Sequence, residues 1–227
     1  MITVIFGDNL KESRLFLSSL TKGKQVTNYT PEKVDATALS QSLSSTELFV
    51  SSTVVVLENY LSQIKSKEKE AILKLIKELE GENEIIFWDN KMLNKPAYAL
   101  FSNATVRQFK LPQTLFQFLD SLKPGNSDIS IRLHQSSLKG VEPEMLFFML
   151  IRHFRLLLST YFLDYPIEEQ KRMQSWQSGK LATQAKFFGK EKLIKHYREL
   201  WKIEQKQKVG ALPYPLSTAI DFFIAAI

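Results

Sequence analysis

The sequence predicts an α/β domain built on a parallel sheet, residues 1–112, followed by an all-α domain, residues 113–227. Two observations predict the first domain. Short β-branched runs alternate with helical patterns up to residue 112, and those runs are continuously apolar, as strands covered on both faces must be. A third observation predicts the second domain: from Leu111 onward the pattern is helical, with no convincing strand.

The strands in order are 2–6, 25–29, 53–57, 84–88 and 105–109, with helices over Lys11 to Leu20, Ala36 to Leu43 and Leu61 to Leu79 between them. The last of these helices places Ile64, Ala71, Ile72, Leu75, Ile76 and Leu79 on one side. Lys65, Lys69, Glu70, Lys74 and Lys77 fall mostly on the other, as in a surface helix packed on a sheet. In the second half, Pro112 opens a helix over 114–122, and further helices are expected over Ser130 to Leu138, Val141 to Phe162, Lys180 to Phe188, Glu191 to Lys208 and Leu216 to Ile227. Pro143 falls in a first turn, where proline is tolerated, and Gly210 ends the penultimate helix. The helix over 141–162 is apolar nearly all round and should be buried on several sides, against its own domain or another subunit.

Composition narrows the chemistry. The chain has 227 residues and no cysteine, which excludes disulfides, thiol catalysis, zinc ribbons and iron-sulfur clusters. Its three histidines, His134, His153 and His196, lie far apart without metal-ligand spacing, so no metal is expected. The opening Ile2 to Phe6 is too short for a signal-peptide core, and Met145 to Leu158 is interrupted by Arg152, His153 and Arg155 and falls short of a membrane span. A cytoplasmic location without membrane contact is the expectation. The net charge of +6 is concentrated late, with eleven Lys or Arg against three acids between Lys171 and Lys208.

In a parallel α/β domain a nucleotide would bind at the first strand-to-helix turn. Here Gly7 stands alone, the residues after it supply no Gly-Lys-Ser/Thr triplet, and no two glycines lie within two residues of each other. Neither a phosphate cradle nor a dinucleotide fingerprint can be built, and no cofactor is expected. Asp8 is read as the cap of the next helix, Asp89 as a turn residue beside Asn90, and Glu58 as a carboxylate with nothing to coordinate.

Two stretches are candidates for binding. Leu48 and Phe49 sit at a Ser-rich turn before strand 53–57, and two readings are open: they close the end of the core, or they are an apolar plug for a partner's pocket. On helix 191–208, Leu193, Ile194, Tyr197, Leu200 and Trp201 form the packed side, while Lys195, Arg198, Lys202 and Lys206 form an exposed stripe. Such a stripe either follows phosphates or is a solvated face with Arg198 and Lys202 partly paired to Glu199 and Glu191. Trp176, Phe187 and Phe188 are positioned to stack on bases, although their helical spacing favours core packing.

Several segments together resemble the delta subunit of the bacterial DNA polymerase III clamp loader. The run STELFVSSTVVVLEN, residues 45–59, resembles the segment in which a Leu-Phe pair precedes the third strand. GVEPEMLFFMLIRHFRLLL (140–158) is similar to the family's Gly-x-Glu-Pro helix, KLATQAKFF (180–188) to its Lys-Leu-x-x-Gln-Ala segment, and IEQKQKVGALPYPL (203–216) to its acidic-x-x-x-Lys-x-Gly stretch.

The resemblance implies a first domain shaped like a P-loop ATPase domain without a working phosphate loop, and a helical collar through which clamp-loader subunits assemble. It implies that Leu48 and Phe49, with Thr46 as neighbour, insert into the sliding clamp and help open it, with DNA as a partner of the complex. Two departures stand out. Residues 109–112 lead straight into the collar, leaving no room for the family's helical lid, and Thr46 stands where members can carry a larger apolar residue. Burial of Leu48 and Phe49 is worth roughly 1.5–3 kcal/mol each, and association costs at least about 4 kcal/mol, so further contacts around the pair are expected. The alternative function is a nucleic-acid-binding adaptor acting through Lys195, Arg198, Lys202 and Lys206. A small-molecule enzyme fits worst, because the Gly-rich loop, cysteine and clustered histidines it would use are missing.

Overall fold

Ile2 to Phe6 is an unbroken apolar run, and a run of that kind is stable as a strand only where both of its faces are covered. In the computed structural model, which describes residues 1–44, 53–79, 84–162 and 167–227, it forms β1, Ile2–Gly7, buried along its whole length. Its parallel neighbours are β4, Glu84–Asp89, and β5, Thr105–Phe109, in the registers Ile2 to Ile85 and Thr3 to Thr105. β3, Thr53–Glu58, pairs with β4 and with β2, Gln25–Tyr29, giving the order β2-β3-β4-β1-β5, parallel throughout. The outer strands carry the polar residues, such as Arg107 and Gln108 on β5, as sheet edges do.

Alternation along the strands sends side chains to two cores. Val4, Val55, Leu57, Ile85 and Phe87 pack with Leu39 of helix α2, Ala36–Ser44, and with Ile72 and Ile76 of α3, Lys67–Glu78. Ile5, Val54, Val56, Ile86 and Trp88 pack with Leu17 of α1, Leu10–Thr21.

Helix α3 is shorter than the sequence pattern suggests. The carboxylate of Asp89 accepts from the backbone N–H of Leu61 (3.3 Å) and Ser62 (2.8 Å), holding a turn there, and Ser66 then caps the helix by accepting from Lys69 N at 3.1 Å. Ile64 is 90% exposed instead of packed, and Ala71 is exposed as well. Lys69, expected on the solvent face, is buried with its ammonium donating to the carbonyls of Leu61 and Gln63, both at 2.8 Å. Asp89 itself is fully buried, and burial pushes its carboxyl up from its ordinary value.

The chain divides into two compact units, Met1–Leu111 and Pro112–Ile227. The second contains α4, Gln113–Ser121; α5, Ser127–Ser137; α6, Pro143–Ser159; α7, Glu168–Lys171; α8, Ser175–Phe188; α9, Lys190–Lys208; and α10, Leu216–Ala225. α5 begins three residues earlier than its apolar spacing indicates, with Asp128 in its first turn. α8 also begins earlier, at Ser175, through a reciprocal cap between Gln174 and Gln177, and the short α7 has no sequence signal strong enough to expose it.

Helix α6 is the centre of this unit, packed by α4, α8, α9 and α10. Phe154 on it meets Phe188, His196 and Phe223 edge-on, at centroid distances of 5.6, 6.1 and 5.3 Å. Beside this cluster Gln184 donates to the carbonyls of Leu119 and Leu122, both at 2.8 Å, and its Oε1 lies 3.0 Å from His153 Nε2. One amide thereby satisfies the end of α4 and a buried ring on α6. Among the described residues no helix is long and apolar enough to cross a membrane.

All three histidines are buried, and burial lowers each ring below its ordinary value; His153 is pushed down to about 4. His134 pairs through Nδ1 with Asp221 at 2.6 Å, and its buried Nε2 has no hydrogen-bond partner among the described residues, an arrangement suited to the neutral ring. Because the unfolded chain protonates first, the stability these neutral rings contribute is present at neutral pH and is lost as the solution is acidified below the ordinary imidazole value, for His153 between about 6.5 and about 4. For His153 the loss amounts to about 3 kcal/mol. Urea unfolding is expected to show a falling midpoint over that window, and His153→Gln to flatten the profile.

Candidate functional site

Thr46, Leu48 and Phe49 lie outside the described residues. Their flanks are described: α2 ends at Ser44 with Leu39 fully buried, Tyr29 Oη lies 2.5 Å from Ser42 Oγ, and β3 starts at Thr53. Residues 45–52 therefore lead into the N-terminal end of an internal strand. The turn where a nucleotide would bind lies at the opposite, C-terminal ends of the strands.

That turn is closed. Gly7 has φ of +143°, and a Cβ placed on it would stand 1.8 Å from the carbonyl oxygen of Phe109. The backbone N–H of Asn9, two residues on, donates to that same carbonyl at 3.2 Å. Asp8 accepts from Leu111 N at 2.9 Å, so it anchors the chain after β5 and does not cap α1. Asn9 is the cap, accepting from Glu12 N at 3.3 Å. The Asn9 N–H and the Asp8 carboxylate are thus both engaged by the chain leaving β5.

Arginine 14 closes the neighbouring position. It makes a two-pronged ion pair with Glu58, at 2.7 and 2.9 Å, and its hydrogen bonds hold the Glu58 carboxyl below the usual range. Its guanidinium also lies 3.5 Å from the centre of the Trp88 ring, and Trp88 Nε1 donates to Ser13 Oγ at 3.3 Å. Glu58, which the sequence left without a partner, is therefore bound within the fold.

On α9 the stripe is exposed as its spacing implies: Lys195, Arg198, Lys202 and Lys206 all face solvent. Lys202 pairs with Glu199 at 2.7 Å, whereas Lys195, Arg198 and Lys206 have no ion pair among the described residues. Lys195, Lys202 and Lys206 share a groove with Tyr214 and Phe222, two aromatics that the sequence reading did not select. Trp201 is 58% exposed instead of packed, and His196 occupies the buried side in its place. Of the three aromatics near α8, only Phe188 is buried; Trp176 and Phe187 are 67% and 59% exposed. Among the described residues no group of three or more His, Cys, Asp or Glu side chains is placed to hold a metal.

No family model and no curated protein matches the chain. Two solved structures are similar to it in architecture. One is the DNA clamp loader delta protein of Bacillus subtilis, at 14% identity and a TM-score of 0.48, covering 99% of this chain and 94% of that one. The other is a DNA polymerase III gamma subunit-related protein of Thermotoga maritima, at 14% identity and a TM-score of 0.36, covering 100% of this chain and 93% of that one.

The closed turn makes Gly7 intolerant of any side chain. Gly7→Ala is expected to lower stability by at least about 2 kcal/mol, read as a reduced urea midpoint with the same slope.

Proposed function

We propose that this chain is a non-catalytic, delta-like subunit of a clamp loader that binds the sliding clamp and helps open it. Leu48 and Phe49, with Thr46 beside them, are the clamp-binding residues, and the helical unit is the collar that meets other clamp-loader subunits, with DNA as a partner of the whole assembly in the cytoplasm. The run STELFVSSTVVVLEN carries this reading. Its second half is the internal strand β3, whose Val54 to Leu57 are buried, so core formation accounts for that half; the Leu-Phe pair before it is assigned to the clamp on the resemblance of the run.

The closed β1–α1 turn supports a subunit that works without nucleotide of its own. β5 ends at Phe109 and α4 begins at Gln113, so no helical lid stands between the two units, and any lid action belongs to another subunit. Leu48 and Phe49 together represent roughly 3–6 kcal/mol of burial. Leu48→Ala/Phe49→Ala is therefore expected to weaken binding to the organism's own sliding clamp by at least about 100-fold with the fold unchanged, measured by surface plasmon resonance. A folded double variant that binds as well as wild type removes the assignment.

A second reading is a nucleic-acid adaptor acting through Lys195, Arg198, Lys202 and Lys206 on α9, favoured by three of them having no ion pair among the described residues. In that case reversing those charges abolishes DNA affinity, and the affinity of the wild type falls with salt by about one log-log unit per phosphate contact.

A further inference from the structure

The surface of α8 places aromatic and cationic side chains in one line. Trp176, Lys180, Thr183 and Phe187 follow each other at steps of four, three and four residues, which is one face of a helix. The two aromatics stand about 16 Å apart along its axis. Both were candidates for core packing, yet both are mostly exposed, which costs the helix apolar burial that a purely structural role would have used. Trp176 borders a cleft of about 600 Å³ floored by Leu119, Met149 and Leu156, and Phe187 borders an adjoining hollow of about 290 Å³. Lys180 lines both.

Charge along this face is positive. Its carboxylates, Asp120 and Glu169, are already engaged, Asp120 by Lys180 and Glu169 by both Arg152 and Arg155. Arg172 lines the cleft with no ion pair among the described residues, and the Lys123 ammonium lies 5.9 Å from the centre of the Phe187 ring. Four cations lining the cleft and the hollow, Arg152, Arg172, Lys180 and Lys123, thus face two carboxylates.

We propose that the α8 face from Trp176 to Phe187 binds single-stranded nucleic acid, with bases stacking on the two aromatics and phosphates meeting Arg172, Lys180 and Lys123. Cations interleaved with exposed rings suit a flexible polyanion whose bases are free to stack. A duplex offers no free base faces, so it binds this face more weakly. The site shares no residue with the Leu48–Phe49 pair or the α9 stripe, and it gives the subunit a nucleic-acid contact that clamp binding does not require.

The test is fluorescence anisotropy of the whole protein with a labelled oligothymidylate of about twelve nucleotides, in low salt, against a hairpin duplex of equal charge. Wild type is expected to prefer the single strand. Trp176→Ala and Phe187→Ala are each expected to weaken it about tenfold, and Arg172→Glu to reduce the salt dependence. Trp176→Phe should retain binding. Both aromatics are exposed, so the variants are expected to fold, as circular dichroism will show, and to bind the clamp like wild type. The proposal is overturned if wild type does not bind the oligonucleotide, if the folded Trp176→Ala/Phe187→Ala variant binds it equally well, or if only Lys195→Glu/Lys202→Glu/Lys206→Glu abolishes binding. It is also overturned if the α8 variants lose assembly with a protein subunit while wild type ignores the oligonucleotide.

Discussion

Strands without polar alternates cannot face water, and the first unit follows from that constraint. β1, β3 and β4 bury both faces, so helices must cover each side of the sheet: α2 and α3 on one, α1 on the other. Each crossover returns the chain to the same end of the sheet, which gathers the strand-to-helix turns at the C-terminal ends of the strands. In a protein that uses nucleotide, such an end is kept open. Here it is stitched shut, by Asp8 on Leu111, Asn9 on Phe109, and Arg14 held between Glu58 and Trp88. The polar groups of that turn hold the chain leaving β5 and the neighbouring strand ends.

The same economy governs Asp89. A carboxylate fully buried at a strand end is costly unless it is hydrogen-bonded, and two backbone N–H groups from the turn after β3 meet that need. Lys69 adds its charge nearby while satisfying two carbonyls of that same turn. Together they delay the start of α3 to Lys67 and leave Ile64 in solvent.

In the helical unit, specificity comes from a few polar groups in an apolar interior. Generic hydrophobic contact would let α6 rotate or slide against its neighbours. Gln184 bonded to two carbonyls and to His153, and His134 bonded to Asp221, each have one geometry in which their hydrogen bonds are made. The Lys-Leu-x-x-Gln-Ala segment therefore has a structural explanation in its glutamine, independent of any partner. The aromatics around it divide: Phe188 joins the cluster on Phe154, while Trp176 and Phe187 turn outward.

Hydrophobic period, a property of contiguous residues, was enough to determine the five strands and most of the helices. The exposure of Lys195, Arg198, Lys202 and Lys206 was legible for the same reason, since a helix repeats its faces at fixed steps. Spacing could not tell which of two adjacent aromatics is buried, why Lys69 is inside and Ile64 outside, or that Asn9 caps α1 in place of Asp8. Those outcomes depend on groups far away in the chain, Phe109 and Leu111 for the first turn, Asp89 for residues 61–66 and Phe154 for Phe188. By itself the sequence determined which segments must be covered; the tertiary structure decided which distant polar group satisfies each exposed end, because a hydrogen bond is directional and hydrophobic burial is not.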